Sequence, residues 1–71
     1  MNQDIISIIA SNIKKYRLEK GLSQEALADK AGLHRTYISL LERKKKNVSI
    51  KILEKLAEAL EIDISHLIKN K

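Results

Sequence analysis

The chain has 71 residues, a formal net charge of +5 and no Cys. A chain this short forms one small domain, 1–71, and without Cys it has neither a disulfide framework nor a thiolate metal site to hold it. Its 22 Leu, Ile and Val residues are too many for a disordered tail, and its longest apolar stretch, Ile5 to Ala10, falls far short of the roughly 20 residues of a membrane span.

A secretory signal is not expected, because Asp4 stands near the start and no early Lys or Arg precedes the apolar run. Two Tyr are the only aromatics, so the core must be aliphatic. In chain order, Ile6, Ile9, Ile13 and Tyr16 recur at three- and four-residue spacing and predict a helix from about Gln3 to Lys20. Gly21 ends it in the left-handed conformation that Gly adopts at low cost. Ser23 caps a second helix, about Gln24 to Lys30, with Leu22 and Leu27 as a hydrophobic staple. Gly32 ends that helix after two turns. A third helix runs from about Arg35 to Glu42, with Ile38 and Leu41 facing inward. Residues 43–48 form a loop. Ser49 caps a fourth helix, to about Leu60, whose stripe is Leu53, Leu56, Ala57 and Leu60. Asp63 caps a fifth, stapled by Ile62 and Leu67. No segment reads as a strand, so the fold class is all-α, a bundle of five short helices.

The charge is not evenly spread. Residues 1–29 balance, and residues 52–71 net −1. Residues 30–51 hold seven bases against one acid, Glu42, for a local +6. A concentrated basic patch points to a polyanion, of which nucleic acid is the commonest.

The segment QEALADKAGLHRTYISLLER, residues 24–43, places two short helices around a tight turn containing Gly, a helix-turn-helix. Ala28 is small where the second helix of the pair crosses. Gly32 and Ile38 follow at offsets of four and ten. Leu33, Ile38 and Leu41 lock the pair and project the polar positions of the second helix outward, toward a DNA major groove wide enough for a helix. The pair, its Gly turn and the tetrabasic run Arg43–Lys46 together separate this segment from a generic helical hairpin.

The sequence resembles the Cro and phage-repressor (XRE-type) family. The resemblance covers nearly the whole chain, through RLEKGLSQEALADKAGL, LEKLAEALEI and the spacing between them. At HRTYISLLERKKKNVSI it is similar to controller proteins of restriction–modification systems. It implies a five-helix lambda-repressor-like domain that binds double-stranded DNA as a homodimer on a palindromic operator, in the cytoplasm of a bacterium, at the nucleoid, or as a phage product. It also implies action through position relative to RNA polymerase, with no cofactor, membrane or small-molecule substrate. Many controller proteins have Arg where this chain has Lys46, which lacks the planar fork that grips a guanine edge.

Arg35 is the candidate for base reading, since Arg bonds guanine O6 and N7 bidentately; the plain alternative is a phosphate contact. Thr36 offers a hydroxyl or methyl to a base edge, or makes no contact. Tyr37 contacts phosphate or sugar, or packs against a neighbouring helix. Ser39 and Arg43 suit backbone contacts, Lys44, Lys45 and Lys46 supply phosphate charge, and Asn47 bonds phosphate or caps the loop. Gln24 begins the second helix, where the resemblance and free backbone N–H groups suggest a phosphate clamp. The resemblance further implies an Arg17–Glu42 ion pair orienting the recognition helix, with phosphate contact by Arg17 secondary. His34 stands at the helix start and is too isolated for a metal site; no Ser, His and acid cluster supports an enzyme.

One recognition helix reads too few base pairs for useful specificity, which two-fold symmetry remedies. Ile50, Leu53, Ile62, Ile64, Leu67 and Ile68 exceed what two short helices bury internally, and are the expected dimer surface; the alternative is that they close the monomer core. The contrasting readings are a phage-type repressor or a small antitoxin whose main partner is a protein.

Overall fold

A computed structural model describes residues 4–70. Five helices follow one another: α1 (Ile5–Glu19), α2 (Gln24–Ala31), α3 (Arg35–Glu42), α4 (Ile50–Leu60) and α5 (Ile64–Ile68). Among the described residues there is no strand. The expected start of the first helix at Gln3 lies outside the described residues. Asp4 is the N-cap instead, its Oδ1 accepting from the Ser7 N–H at 2.8 Å. Ser23 and Ser49 cap α2 and α4 by accepting from Ala26 and Ile52. Asp63 occupies the cap position of α5, but its side chain makes no capping bond.

Four helix ends are closed in the same way. Leu22 N–H reaches Arg17 O, and Leu33 N–H reaches Ala28 O. Lys45 N–H reaches Leu40 O, and Ile62 N–H reaches Ala57 O. Each time the residue before the donor is left-handed and its own N–H bonds back three residues, which satisfies two carbonyls of the last turn. Gly21 and Gly32, at φ 70°, are the two that the sequence announces. Lys44 (φ 64°) and Glu61 (φ 61°) are the two it hides, because no Gly marks them. Lys20 crosses to Glu61, Nζ to Oε1 at 3.0 Å, on the surface. That ammonium, donating a hydrogen bond, holds the Glu61 carboxyl below its usual range.

The core is aliphatic throughout. Ile13, Leu27, Ile38, Leu56, Leu60 and Leu67 are fully buried, with Ile9, Leu41 and Leu53 beside them. Helix α2 packs on α3 and α4, while α1 packs on α5 and α3. Both Tyr lie at the margin, partly buried against this cluster.

Asn12 interrupts the apolar face of α1, a position that helical periodicity does not mark. It is 8% exposed, and its Nδ2 donates to Leu67 O at 2.8 Å and to Lys69 O at 3.0 Å. It therefore ties α1 to the end of α5, where helix carbonyls lack intrahelical partners. Asn12→Ala strands the buried Leu67 carbonyl. The expected cost is about 1–3 kcal/mol, read as a lower urea midpoint.

Two of the six residues expected at a dimer surface are core residues. Leu53 is 4% exposed and Leu67 is 0% exposed, so neither has surface to offer a partner. Helix α4 turns Leu53 into the same stripe as Leu56 and Leu60, and α5 inserts Leu67 against α1. Ile62 and Ile64 are half-buried against the core. Ile50 and Ile68 are exposed, at 71% and 42%.

Candidate nucleic-acid interface

The second helix of the α2–α3 pair is held by its ends as well as by its core face. Ile38 and Leu41 are buried, so α3 cannot rotate without leaving the core. At its C-terminal end, Arg17 Nε donates to Glu42 Oε2 at 2.7 Å and Nη2 donates to Oε1 at 3.0 Å. This fork also anchors the α1–α2 turn, because Arg17 Nη1 donates to Leu22 O at 2.8 Å. Gln24 adds a third bond to the carboxylate, Nε2 to Oε1 at 3.1 Å. The Glu42 side chain is 4% exposed, and so is fully taken up by these partners. One carboxylate thus joins α1, the start of α2 and the end of α3.

This geometry changes two expected roles. Arg17 is 8% exposed with donors committed to Glu42 and Leu22, which leaves little of it for phosphate. Gln24 has its amide engaged by Glu42, so the expected clamp reduces to what the backbone of the first turn of α2 offers.

At the N-terminal end of α3, His34 is the cap: its Nδ1 accepts from the Thr36 N–H at 3.1 Å. The sequence places His34 at the helix start but does not mark it as the cap. His is not among the favoured capping residues, so composition carried no signal. Arg35 and Thr36 follow in the first turn, both exposed. Ser39 lies one turn further on and is half-buried, and Arg43 is the exposed C-cap, its Nε 3.5 Å from Ser39 O.

Tyr37 ties the helix to the loop. Its hydroxyl donates to Asn47 O at 3.0 Å, and the Lys46 ammonium lies 5.9 Å from its ring centroid. Burial pushes the phenol above its usual pKa, so it keeps the proton that it donates. Tyr37 thus packs against the helical core, as the alternative reading expects, and its hydroxyl also holds the basic loop. Lys44, Lys45, Lys46 and Asn47 are all exposed and line an open groove with Asp4 and Ser7 of the first turn of α1. Exposed cations thus stand at both ends of α3, Arg35 in its first turn and Arg43 to Lys46 at and after its C-terminal end.

Lys44 sits here in a conformation that costs an L-residue roughly 1–2 kcal/mol. Lys44→Gly is expected to stabilise the fold by about 1 kcal/mol, seen as a higher melting temperature. If Lys44 contacts a phosphate, the same change lowers the slope of log affinity against log salt by about 1.

An α-helix whose exposed N-terminal turn carries Arg and Thr, tied at its C-terminal end through Glu42 and followed by a basic loop, has the form that enters a groove in duplex DNA. A helix-turn-helix family model (HTH_3) matches residues 13–67. The chain belongs to the helix-turn-helix family of Cro/XRE type. This helix-turn-helix protein is 48% identical over 65 residues to control protein C.SmaI of Serratia marcescens, covering 92% of the chain and 77% of C.SmaI. It resembles the crystal structure of the restriction-modification controller protein C.AhdI from Aeromonas hydrophila with a TM-score of 0.85 and 40% identity, covering 87% of this chain and 94% of that one. It also matches the hypothetical transcription factor NHTF from Neisseria with a TM-score of 0.91 and 42% identity, covering 94% of this chain and 77% of that one. The regulator is therefore a DNA-binding transcription factor of helix-turn-helix type, similar to restriction–modification controller proteins. No helix among its described residues is long and apolar enough to cross a membrane.

Proposed function

We propose that this regulator acts as a homodimer on a palindromic operator, as the controller protein of a restriction–modification system. The observation that carries the reading is the exposed Arg35–Thr36 turn on a helix locked by Ile38, Leu41 and the Arg17–Glu42–Gln24 network. Such a turn holds its side chains in one register against base edges. Arg35 reads a base, Thr36 supports it, and Ser39, Arg43, Lys46 and Asn47 meet the DNA backbone. RNA polymerase is the further partner that the resemblance to controller proteins implies.

The dimer reading rests on apolar surface that the monomer leaves open. Ile50 and Ile68 remain exposed, with Ile62 and Ile64 half-buried, and the last two helices lie in the near-neutral part of the chain. Two copies then place their recognition helices on half-sites about 34 Å apart. Truncation before Ile62 is a poor test, since it removes the core residue Leu67. Ile50→Asp and Ile68→Asp leave the core intact. Sedimentation is expected to show a wild-type dimer and monomeric variants; dimers persisting in both variants overturn the interface.

Footprinting on the DNA upstream of its own gene tests the function as a whole. Two symmetric protected half-sites, beside reading frames for a methyltransferase and an endonuclease, are expected. Affinity that does not change with salt would show that no substantial phosphate neutralisation occurs and would overturn DNA as the main partner.

A further inference from the structure

We propose that Asn12 is a positioning residue for half-site spacing: it fixes α5, which carries part of the dimer surface, at a set angle to the recognition helix. The proposal rests on the homodimer reading above. Asn12 and Arg17 are both buried polar residues of α1, and each holds the C-terminal end of another helix. Arg17 holds α3 through Glu42. Asn12 holds α5 through Leu67 O at 2.8 Å and Lys69 O at 3.0 Å. Helix α1 packs on both α3 and α5. A path from Ile64 and Ile68, on the side offered to a second copy, to Arg35, on the side offered to DNA, therefore runs along α1.

The chemistry of the joint explains why an amide stands there. Leu67 is fully buried, but apolar burial is non-directional and lets a helix of five residues pivot. The edge-on ring pair Tyr16–His66, with centroids 6.0 Å apart, adds a second contact one turn along α1. The Asn12 amide nitrogen carries two N–H groups and spends one on each of two carbonyls, which removes the pivot. A Ser or Thr hydroxyl has one O–H and can donate to only one of them. The angle matters because each recognition helix lies about 17 Å from the two-fold axis, half of the half-site separation. A tilt of about 10° at the joint then moves it about 3 Å against the duplex, close to the roughly 3.4 Å between successive base pairs.

The test measures binding by fluorescence anisotropy to a single half-site and to operators whose half-site separation is native, one base pair shorter or one longer. Wild type, Asn12→Ala, Asn12→Ser and the core control Ile13→Val are compared well below their melting temperatures. Wild type is expected to prefer the native separation by about tenfold, and Asn12→Ala by only about twofold, with its single half-site affinity unchanged. Asn12→Ser keeps one donor and carries the same expectation if Asn12→Ala does not fold. Ile13→Val lowers the melting temperature through the core and is expected to keep the wild-type preference, which a merely destabilising role for Asn12 would also keep. Sedimentation is expected to show dimers throughout. A wild-type preference in the folded Asn12 variant overturns the proposal, as does an equal loss on every duplex. A monomeric Asn12 variant also overturns it, in favour of a role in dimerisation. A wild-type protein that binds two half-sites no better than one overturns the homodimer reading itself, and is distinguished by its failure before any substitution is made.

Discussion

Glu42→Ala is expected to destabilise the fold by about 3–5 kcal/mol. The substitution removes the acceptor for two Arg17 bonds and one Gln24 bond at once. Arg17 then stays 8% exposed with only Leu22 O as a partner, and a buried charge without its counter-charge is costly. A domain of this size holds on the order of 4–11 kcal/mol in total, so the loss approaches half of it. Thermal melting reads it as a fall of roughly 15–30 °C. The double variant Arg17→Met, Glu42→Leu separates two explanations. If the single variant suffers mainly from a stranded charge, the double variant recovers much of the loss, because apolar pairs often replace buried ion pairs at little cost. A fall of only a few degrees in Glu42→Ala would show the network to be dispensable.

Arg35→Ala is expected to weaken operator binding by about 1–3 kcal/mol and to relax preference at one base pair. Arg35 is exposed and opens α3, so its removal leaves the core and the His34 cap untouched. Melting temperature is therefore expected to hold. Binding measured on the operator, on singly substituted operators and on random duplex decides the role. Equal losses on operator and random DNA would make Arg35 a phosphate contact and would move base reading to Thr36 or the loop.

The two expected losses differ in kind because the two residues act at different levels. Glu42 sets where α3 lies, and Arg35 uses that position. A fold defect in Glu42→Ala is expected to weaken binding to every duplex, whereas Arg35→Ala is expected to alter the ranking among duplexes. The Tyr37–Asn47 bond belongs with the first group. It holds the loop that carries Lys46 to the helix that carries Arg35.

Much of the architecture was legible from local patterns. Helix periodicity with Ser23, Ser49 and the two Gly placed α2, α3 and α4 to within a residue, because caps and Schellman turns are short-range events. The charge arithmetic located the basic segment for the same reason: it needs only chain order. The left-handed Lys44 and Glu61 were not legible, since nothing in their residue type marks the conformation that the turn imposes.

What lay beyond the sequence depends on which surfaces meet. An apolar residue on a short helix can close its own core or cover a partner, and residue type does not distinguish these. Leu53 and Leu67 fell to the core, while Ile50 and Ile68 did not, because the α1–α5 and α2–α4 packing directs them so. Polar residues divided in the same way. Gln24 turned to Glu42, Tyr37 to the loop backbone, Asn12 to the end of α5 and His34 to Thr36. Each of these bonds except that of His34 spans ten or more residues of chain. The sequence by itself determined five helices, a helix-turn-helix and a basic middle third, all products of local spacing. Which side chains brace α3 and which stay exposed was settled by tertiary packing, because burial of a hydrogen-bonding group depends on partners that fold in from distant parts of the chain.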